Sequence, residues 1–202
     1  QTEWRQKSST PDVTPWSDAQ LARQRKDAQA VLAELLDEQF RLEELRVEQW
    51  ADADFSAAQA LATGGDEQYR EKAYLEAASS YQAALDAMLA ISARVDTVFT
   101  ELLQAGLTAL ASDQVEPALR ALELAVHLQP DNEIAFNALG RATKLTPLLE
   151  LLAQANAAQD RGELESARDL LQQASRLDPE HVGTTTQLRD VVRQIAKQNY
   201  NR

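Results

Sequence analysis

The sequence predicts an all-α fold, a helical-hairpin solenoid with a long N-terminal helix, and three observations support this prediction. The 202 residues include only six Gly and six Pro. Aromatic residues make up 5% of the chain, so most of its apolar surface comes from Leu, Ala and Val. Both features favour helices, because strands need more turn residues and more bulky side chains. A pattern of small and apolar residues also recurs between Ala118–Pro130 and Ala167–Pro179, which is typical of stacked helical units.

The charge and the cysteine content exclude several classes of function. The chain carries 32 acidic and 20 basic residues, a formal net charge of -12, and no basic run offsets it. Nucleic acid and anionic lipid surfaces are therefore not expected as partners, because the mean field repels them. The absence of Cys excludes disulfides, thiolate catalysis and cysteine-ligated zinc. No window reaches the roughly 20 consecutive apolar residues of a membrane span, so direct membrane insertion is not expected.

The N-terminal third is predicted to be a linker followed by one long helix. Residues 1–16 are polar and twice interrupted by Pro, which predicts a flexible linker. Ser17 offers an N-cap hydroxyl with Gln20 three residues later, so a helix is expected to begin there. Nothing breaks the helical pattern afterwards, which predicts a long amphipathic helix over residues 17–63. Its apolar positions recur at helical spacing at Ala28, Leu32, Leu35 and Leu42. Such a face needs a partner helix, either from a second copy or from the following repeats.

Residues 64–180 are predicted to form irregular helical repeats. Gly64 and Gly65 are the first pair of helix-breaking residues, and Asp66 is placed to cap the next helix. That helix is expected to run to a short break near Ser92.

The second half of the repeats contains one irregularity. Asp113 and Glu116 form another capping-box pattern at the start of a helix. Residues 131–144 predict either a lone inserted helix or the first part of a kinked, elongated one, because Thr146–Pro147 has the pattern of a helix start. Residues 181–202 predict a C-terminal capping helix.

Matched residues in two hairpins carry the repeat. They are Ala118 with Ala167, Leu122 with Leu171, Ala125 with Ala174, Leu128 with Leu177, and Pro130 with Pro179. With a small residue at Gly106 or Ala155 and a turn at Asp113 or Gly162, they resemble the tetratricopeptide repeat family. A unit of that family is a helix, a turn and a second helix over about 34 residues. The resemblance covers roughly residues 50–180, including a weaker upstream unit.

The resemblance implies a concave groove, lined by first helices, that binds extended peptides or helices of other proteins. The basic clamp with which some members of the family hold acidic chaperone tails is missing at the matching positions. We predict that three sets of residues take part in partner binding. They are an apolar groove of Leu103, Leu107 and Leu110, a polar face of the inserted helix with Asn137, Arg141 and Lys144, and Asn156 on a first helix. The two histidines, His127 and His181, are expected at the surface, and no metal, cofactor or catalytic residue is predicted.

The sequence therefore predicts a scaffold or adaptor that binds a protein or peptide, and not an enzyme. Two alternatives stay open. The long helix could form a homodimer within a membrane-tethered bacterial envelope protein, of which this chain would be a soluble periplasmic part. The chain could also be a regulatory domain attached to a catalytic domain outside it. A start at Gln1 in place of Met indicates a piece of a longer protein.

Overall fold

The computed structural model describes residues 14–200, and within them all regular secondary structure is helical. The helices are α1 (Pro15–Glu44), α2 (Asp52–Arg70), α3 (Tyr74–Ser92), α4 (Val95–Ala111), α5 (Val115–Leu128), α6 (Glu133–Asp160), α7 (Leu164–Leu177) and α8 (Val182–Tyr200), with one short 3-10 turn (Val47–Gln49). The all-α prediction is confirmed. The chain divides into two compact units, unit 1 up to Val95 and unit 2 from Asp96. No helix in the described part is long and apolar enough to cross a membrane.

Helix α1 begins with a reciprocal capping box. The Oγ1 of Thr14 accepts the backbone N–H of Ser17 at 3.2 Å, and the Oγ of Ser17 accepts the backbone N–H of Thr14 at 3.0 Å. Pro15 occupies the first helical position, where its missing N–H costs nothing. The cap is therefore Thr14 and not Ser17 as predicted. Of the predicted linker, residues 1–13 lie outside the described residues.

The predicted single helix over residues 17–63 is in fact two helices. Helix α1 ends at Glu44, and the 3-10 turn separates it from α2. Arg46 takes a left-handed conformation with φ 53°, and the indole N–H of Trp50 donates to the carbonyl of Leu45 at 3.0 Å. Val47 is fully buried in the core of unit 1. Burial of this turn, and not a Gly or Pro, changes the direction of the chain.

Gly64 and Gly65 lie inside α2 and do not break it, contrary to the prediction. A Cβ added to Gly65 would lie 2.6 Å from Cδ1 of Tyr81, so the missing side chain lets α3 approach α2 closely. The actual break follows Arg70, where Lys72 has φ 63°. Asp66 is likewise not a cap, because its Oδ1 accepts the hydroxyl of Tyr81 at 2.7 Å.

The core of unit 1 forms where α3 packs against both α1 and α2. The predicted apolar stripe of α1 faces this core, since Ala28, Leu35 and Leu42 are all buried. The largest buried side chains beside them are Phe55, Tyr81 and Met88. The stripe therefore finds its partner helix within the same unit, one of the two options that the sequence left open.

Unit 2 contains the hairpins α4/α5 and α6/α7, followed by α8. Helix α4 ends at Ala111, but Asp113 does not cap α5, because it has φ 59° and lies in the turn before the cap residue Gln114. Helix α6 runs unbroken through Pro147, so the elongated helix is observed and the lone inserted helix is not. Its N-cap is Asn132, whose side chain accepts the backbone N–H of Ala135 at 3.1 Å.

The turns of three hairpins, α2/α3, α4/α5 and α6/α7, share one geometry. Lys72, Asp113 and Gly162 have φ values of 63°, 59° and 76°, and each lies two residues before its second helix. The residue that follows each of them donates its backbone N–H to a carbonyl of the first helix at 2.9 Å. This is the six-residue closure of a Schellman-type helix end.

Candidate functional site

An open cleft in unit 2, which we call the α6 cleft, brings together several of the predicted binding residues. Its volume is about 600 Å³, and it lies along the first half of α6, beside α4 and the turn after α7. The residues that line it are Leu107, Ile134, Phe136, Asn137, Ala138, Gly140, Arg141, Lys144, Leu177, Asp178, Pro179 and Glu180.

The first turns of α6 present large apolar side chains to this cleft. The buried stripe of α6 consists of small residues here, Ala135, Ala138 and Ala142, which lets the helix lie close to its neighbours. Ile134 and Phe136 fall outside that stripe and remain 63% and 65% exposed. Exposed side chains of this size, clustered at a concave surface, are typical of protein-binding sites.

An ion-pair network builds one wall of the α6 cleft. Asp178 is only 2% exposed, and its Oδ2 accepts Nε–H of Arg141 at 2.9 Å. Its Oδ1 accepts the backbone N–H of Glu180 at 3.0 Å, and the carboxylate of Glu180 accepts Nη1–H of Arg141 at 2.8 Å. A buried carboxylate needs such partners, because leaving it unpaired costs several kcal/mol (about 3 to 5). Arg141 therefore ties the turn after α7 to α6, and its charge is matched by two carboxylates.

Lys144 and Asn137 remain as the polar groups available to a partner. Both are exposed, and Lys144 makes no ion pair with any residue from 14 to 200. They lie seven residues apart on α6, so they share one face of the helix. This face offers one free ammonium and one amide next to the exposed apolar side chains.

The remaining predicted binding residues lie elsewhere. Leu110 is buried in the core of unit 2 and Leu103 packs against that core, so the leucines of α4 do not form the open apolar groove that we predicted. Leu107 is half-buried and reaches both the core and the α6 cleft. Asn156 is exposed on the second half of α6, where its Oδ1 accepts Nε2–H of Gln187 at 3.0 Å.

Sequence reasoning missed Ile134 and Phe136, although a signal for them exists. Phe136 lies two residues before Ala138, so it cannot join the 3-4 spacing that links Ala135 to Ala138 and Ala142, and Ile134 lies at the margin of that stripe, four residues before Ala138. The small stripe belongs to the core, so the two large residues had to face outwards.

A second open cleft of about 710 Å³ lies beside α4 and the start of α5. Thr100 and Thr108 line it, but their hydroxyls donate to the carbonyls of Asp96 and Gln104 in their own helix at 2.8 Å. These hydroxyls are therefore already satisfied, and the α6 cleft offers the richer set of groups.

His181 is buried and not at the surface as predicted. Its Nδ1 accepts the backbone N–H of Thr184 at 3.0 Å, and its Nε2 lies 2.9 Å from Oδ1 of Asp113. Because a backbone N–H can only donate, Nδ1 is the acceptor, and Nε2 carries the proton that Asp113 accepts. The histidine thus links the turn between α4 and α5 to the start of α8.

The α6 cleft offers apolar contact, one unpaired cation and one amide on a single helix. Within the described residues, no group of three His, Asp or Glu side chains is placed to hold a metal ion. Comparisons with protein-family models, with curated proteins and with solved structures find no match for this chain.

Proposed function

We propose that this chain is a helical-hairpin solenoid of the tetratricopeptide type that works as a scaffold or adaptor and binds a protein or peptide segment in the α6 cleft. The shared turn geometry of the three hairpins supports the solenoid. So does the burial of the alanines at the matching positions, Ala77, Ala118 and Ala167. In such a repeat, small side chains let helices approach closely, and the first helices offer a surface to partners.

The observation that carries the proposal is the pair of exposed apolar residues in the same cleft as a free cation, which follows Phe136 by eight residues, about 12 Å along the helix. Ile134 and Phe136 lie next to Asn137 and within the same cleft as Lys144. Fully burying one such apolar side chain contributes about 1.5–3 kcal/mol, so a partner that covers both gains useful affinity. Large apolar anchors surrounded by polar groups are the usual composition of binding hot spots.

The rigid wall of the cleft favours a partner of particular chemistry. The network of Arg141, Asp178 and Glu180 fixes the turn after α7, which reduces the ordering that binding requires. Because Arg141 is already neutralised, Lys144 is the cation that remains for the partner. The partner segment that fits best therefore carries an apolar side chain and, about 12 Å from it, a carboxylate.

A display library of random peptides, selected against the purified full chain, tests the proposal. Enriched peptides should combine apolar and acidic residues and bind saturably, with a Kd of about 1–100 µM. Phe136→Ser and Lys144→Glu should each raise that Kd about tenfold, because the first removes one of the apolar anchors and the second reverses the charge of the free cation.

Leu75→Ser is the matched control, because Leu75 is as exposed as Phe136 but lies on α3 in unit 1. Its Kd should equal that of the wild type. The proposal fails if no saturable peptide emerges, or if the selected peptides bind the two cleft variants as tightly as the wild type.

A further inference from the structure

Helix α1 has a second regular face that stays exposed among the described residues, although Gln29 on it donates Nε2–H to the hydroxyl of Tyr69 at 2.9 Å. Its residues, which we call the outer seam, are spaced alternately by three and four: Lys26, Gln29, Ala33, Leu36, Phe40 and Glu43. All six are exposed, with Leu36 at 53% and Phe40 at 63%. Alternating spacing of three and four along a helix is the pattern of a coiled-coil seam.

The outer seam is independent of the stripe that holds unit 1 together. That stripe contains Ala28, Leu35 and Leu42, which are buried in unit 1, where α1 packs against α3. At 100° per residue, the residues of the outer seam lie about 100–160° around α1 from the neighbouring residues of that stripe. A helix with two such faces has one for its own core and one for another helix.

The charges of α1 indicate which helix fits. Residues 18–27 contain three basic and two acidic residues, whereas residues 34–44 contain five acidic and one basic. Two copies of α1 running in opposite directions bring residues 25–27, the end of the basic part of each copy, beside residues 42–44, the end of the acidic part of the other. Two parallel copies would place the acidic parts side by side, which is unfavourable.

The side-chain sizes on the outer seam agree with one antiparallel register. When Ala33 of one copy faces Leu36 of the other, Gln29 faces Phe40 and Lys26 faces Glu43. Each layer then pairs a smaller or straighter side chain with a larger one, which is what close packing requires. The facing pair Lys26 and Glu43 then occurs twice, once at each end of the overlap between the two helices.

We propose that the outer seam of α1 binds the outer seam of a second copy of this chain, antiparallel and with Ala33 facing Leu36. This interface lies on unit 1, is separate from the α6 cleft, and does not depend on the function proposed for it.

Sedimentation equilibrium of the full chain tests the pairing. The wild type should dimerise with a Kd at or below about 100 µM. Leu36→Glu combined with Phe40→Glu should weaken dimerisation at least tenfold, with an unchanged circular dichroism spectrum because both positions are exposed. Leu75→Glu combined with Leu89→Glu adds the same charge at exposed leucines of α3 and should leave the Kd unchanged. A wild type that is monomeric at about 500 µM overturns the proposal, and so does a dimer that the two variants affect equally.

Cysteine cross-linking tests the register, because the chain has no Cys of its own. Under mild oxidation a mixture of Ala33→Cys and Leu36→Cys chains should form a mixed disulfide dimer. Phe40→Cys alone should not, since its two copies would lie about 16 Å apart along the axis, beyond the reach of a disulfide. Efficient cross-linking of Phe40→Cys to itself would show a parallel dimer and overturn the antiparallel assignment.

Discussion

The hairpins α2/α3 and α4/α5 have the same small residues at equivalent positions but differ in the large residue that packs against the glycine. Equivalent positions in the two hairpins are Gly65 and Gly106, Lys72 and Asp113, Ala77 and Ala118, Tyr81 and Leu122, and Ala84 and Ala125. A Cβ added to Gly65 would lie 2.6 Å from the Tyr81 ring, and one added to Gly106 would lie 2.5 Å from Cγ of Leu122. In both hairpins there is no room for a side chain at the glycine position. The large residue that packs against the glycine is aromatic in one hairpin and aliphatic in the other.

The hairpin α6/α7 shows how far this rule extends. Ala155 replaces the glycine, and both Ala155 and its counterpart Leu171 are fully buried in one core cluster. A methyl group is tolerated in this hairpin, whereas the two others have no room for it. Whether the position needs a glycine therefore depends on how closely the two helices of that hairpin approach each other.

The strongest test of this comparison replaces by Ala the two glycines at which the helices approach closely, Gly65 and Gly106. Gly65→Ala and Gly106→Ala should each lower the free energy of unfolding by a net 1 to 2 kcal/mol or so, because overpacking exceeds the gain in helix propensity. Gly64→Ala is the control: nothing lies within 4 Å of its added Cβ, so it should raise stability by about 0.5–1 kcal/mol.

Urea denaturation measures these effects unit by unit. All three Trp residues precede residue 51, so tryptophan fluorescence reports on unit 1 and circular dichroism on both units. If Gly65→Ala stabilised the protein as much as Gly64→Ala does, the close approach of α2 and α3 would be disproved.

The left-handed turns offer a test of smaller effect. Gly162→Ala should cost about 1 kcal/mol, because its φ of 76° strains any residue with a Cβ. Lys72→Gly should gain up to about 1 kcal/mol by relieving the same strain at φ 63°. Thermal unfolding followed by circular dichroism should shift in opposite directions for the two variants. A shift of the same sign in both would mean that the turns are not equivalent.

The last test concerns the hydroxyl of Tyr81, a group that Leu122 at the equivalent position of α4/α5 does not have. Burial, together with the hydrogen bond to Asp66, raises the pKa of Tyr81 above its ordinary range. The stabilisation by the neutral hydroxyl is therefore present below the unfolded pKa of about 10 and is lost as the pH rises above it. Tyr81→Phe should cost about 1 kcal/mol at pH 7 and should remove part of this alkaline loss.

Tyr200→Phe is the matched control for that pH dependence, because Tyr200 is exposed at the end of α8. Urea titrations between about pH 8 and pH 11 should show the alkaline loss of unit 1 stability in the control but a smaller one in Tyr81→Phe. Equal slopes in the two variants would contradict the role of the buried hydroxyl.

The sequence predicted helices correctly where the spacing of the apolar residues and the turn residues indicated the same helix. The helices that contain Ala118 and Ala167 were placed from their repeated alanines and leucines, and both residues are fully buried. It failed where tertiary contacts override local preference. No Gly or Pro marks the turn at Arg46, which exists because Val47 is buried.

The prediction from the glycines was wrong for the opposite reason, since a local signal was present but did not end the helix. Gly64 and Gly65 were interpreted as a break from their backbone freedom, but a helix can use a glycine for close packing instead. Pro147 was interpreted as a helix start, yet α6 passes through it on an exposed face.

For the candidate site, helical spacing alone was enough to place Asn137, Arg141 and Lys144 on one side of α6. It could not show that Arg141 is committed to Asp178 and Glu180, because those partners lie 37 and 39 residues away in the chain. The exposure of Phe136 was equally out of reach, since it depends on which stripe of α6 enters the core.

The hydrogen bond between His181 and Asp113 has a consequence for how unit 2 opens. It joins residues 68 positions apart, so the first turn of α8 is held by a hairpin two steps earlier in the chain. In an array where each hairpin touches only the next, a terminal helix frays alone. Here the loss of α8 also breaks the contact with Asp113. We therefore expect amide exchange near Thr184 and near Asp113 to be coupled, and unit 2 to unfold more cooperatively than nearest-neighbour stacking alone would give.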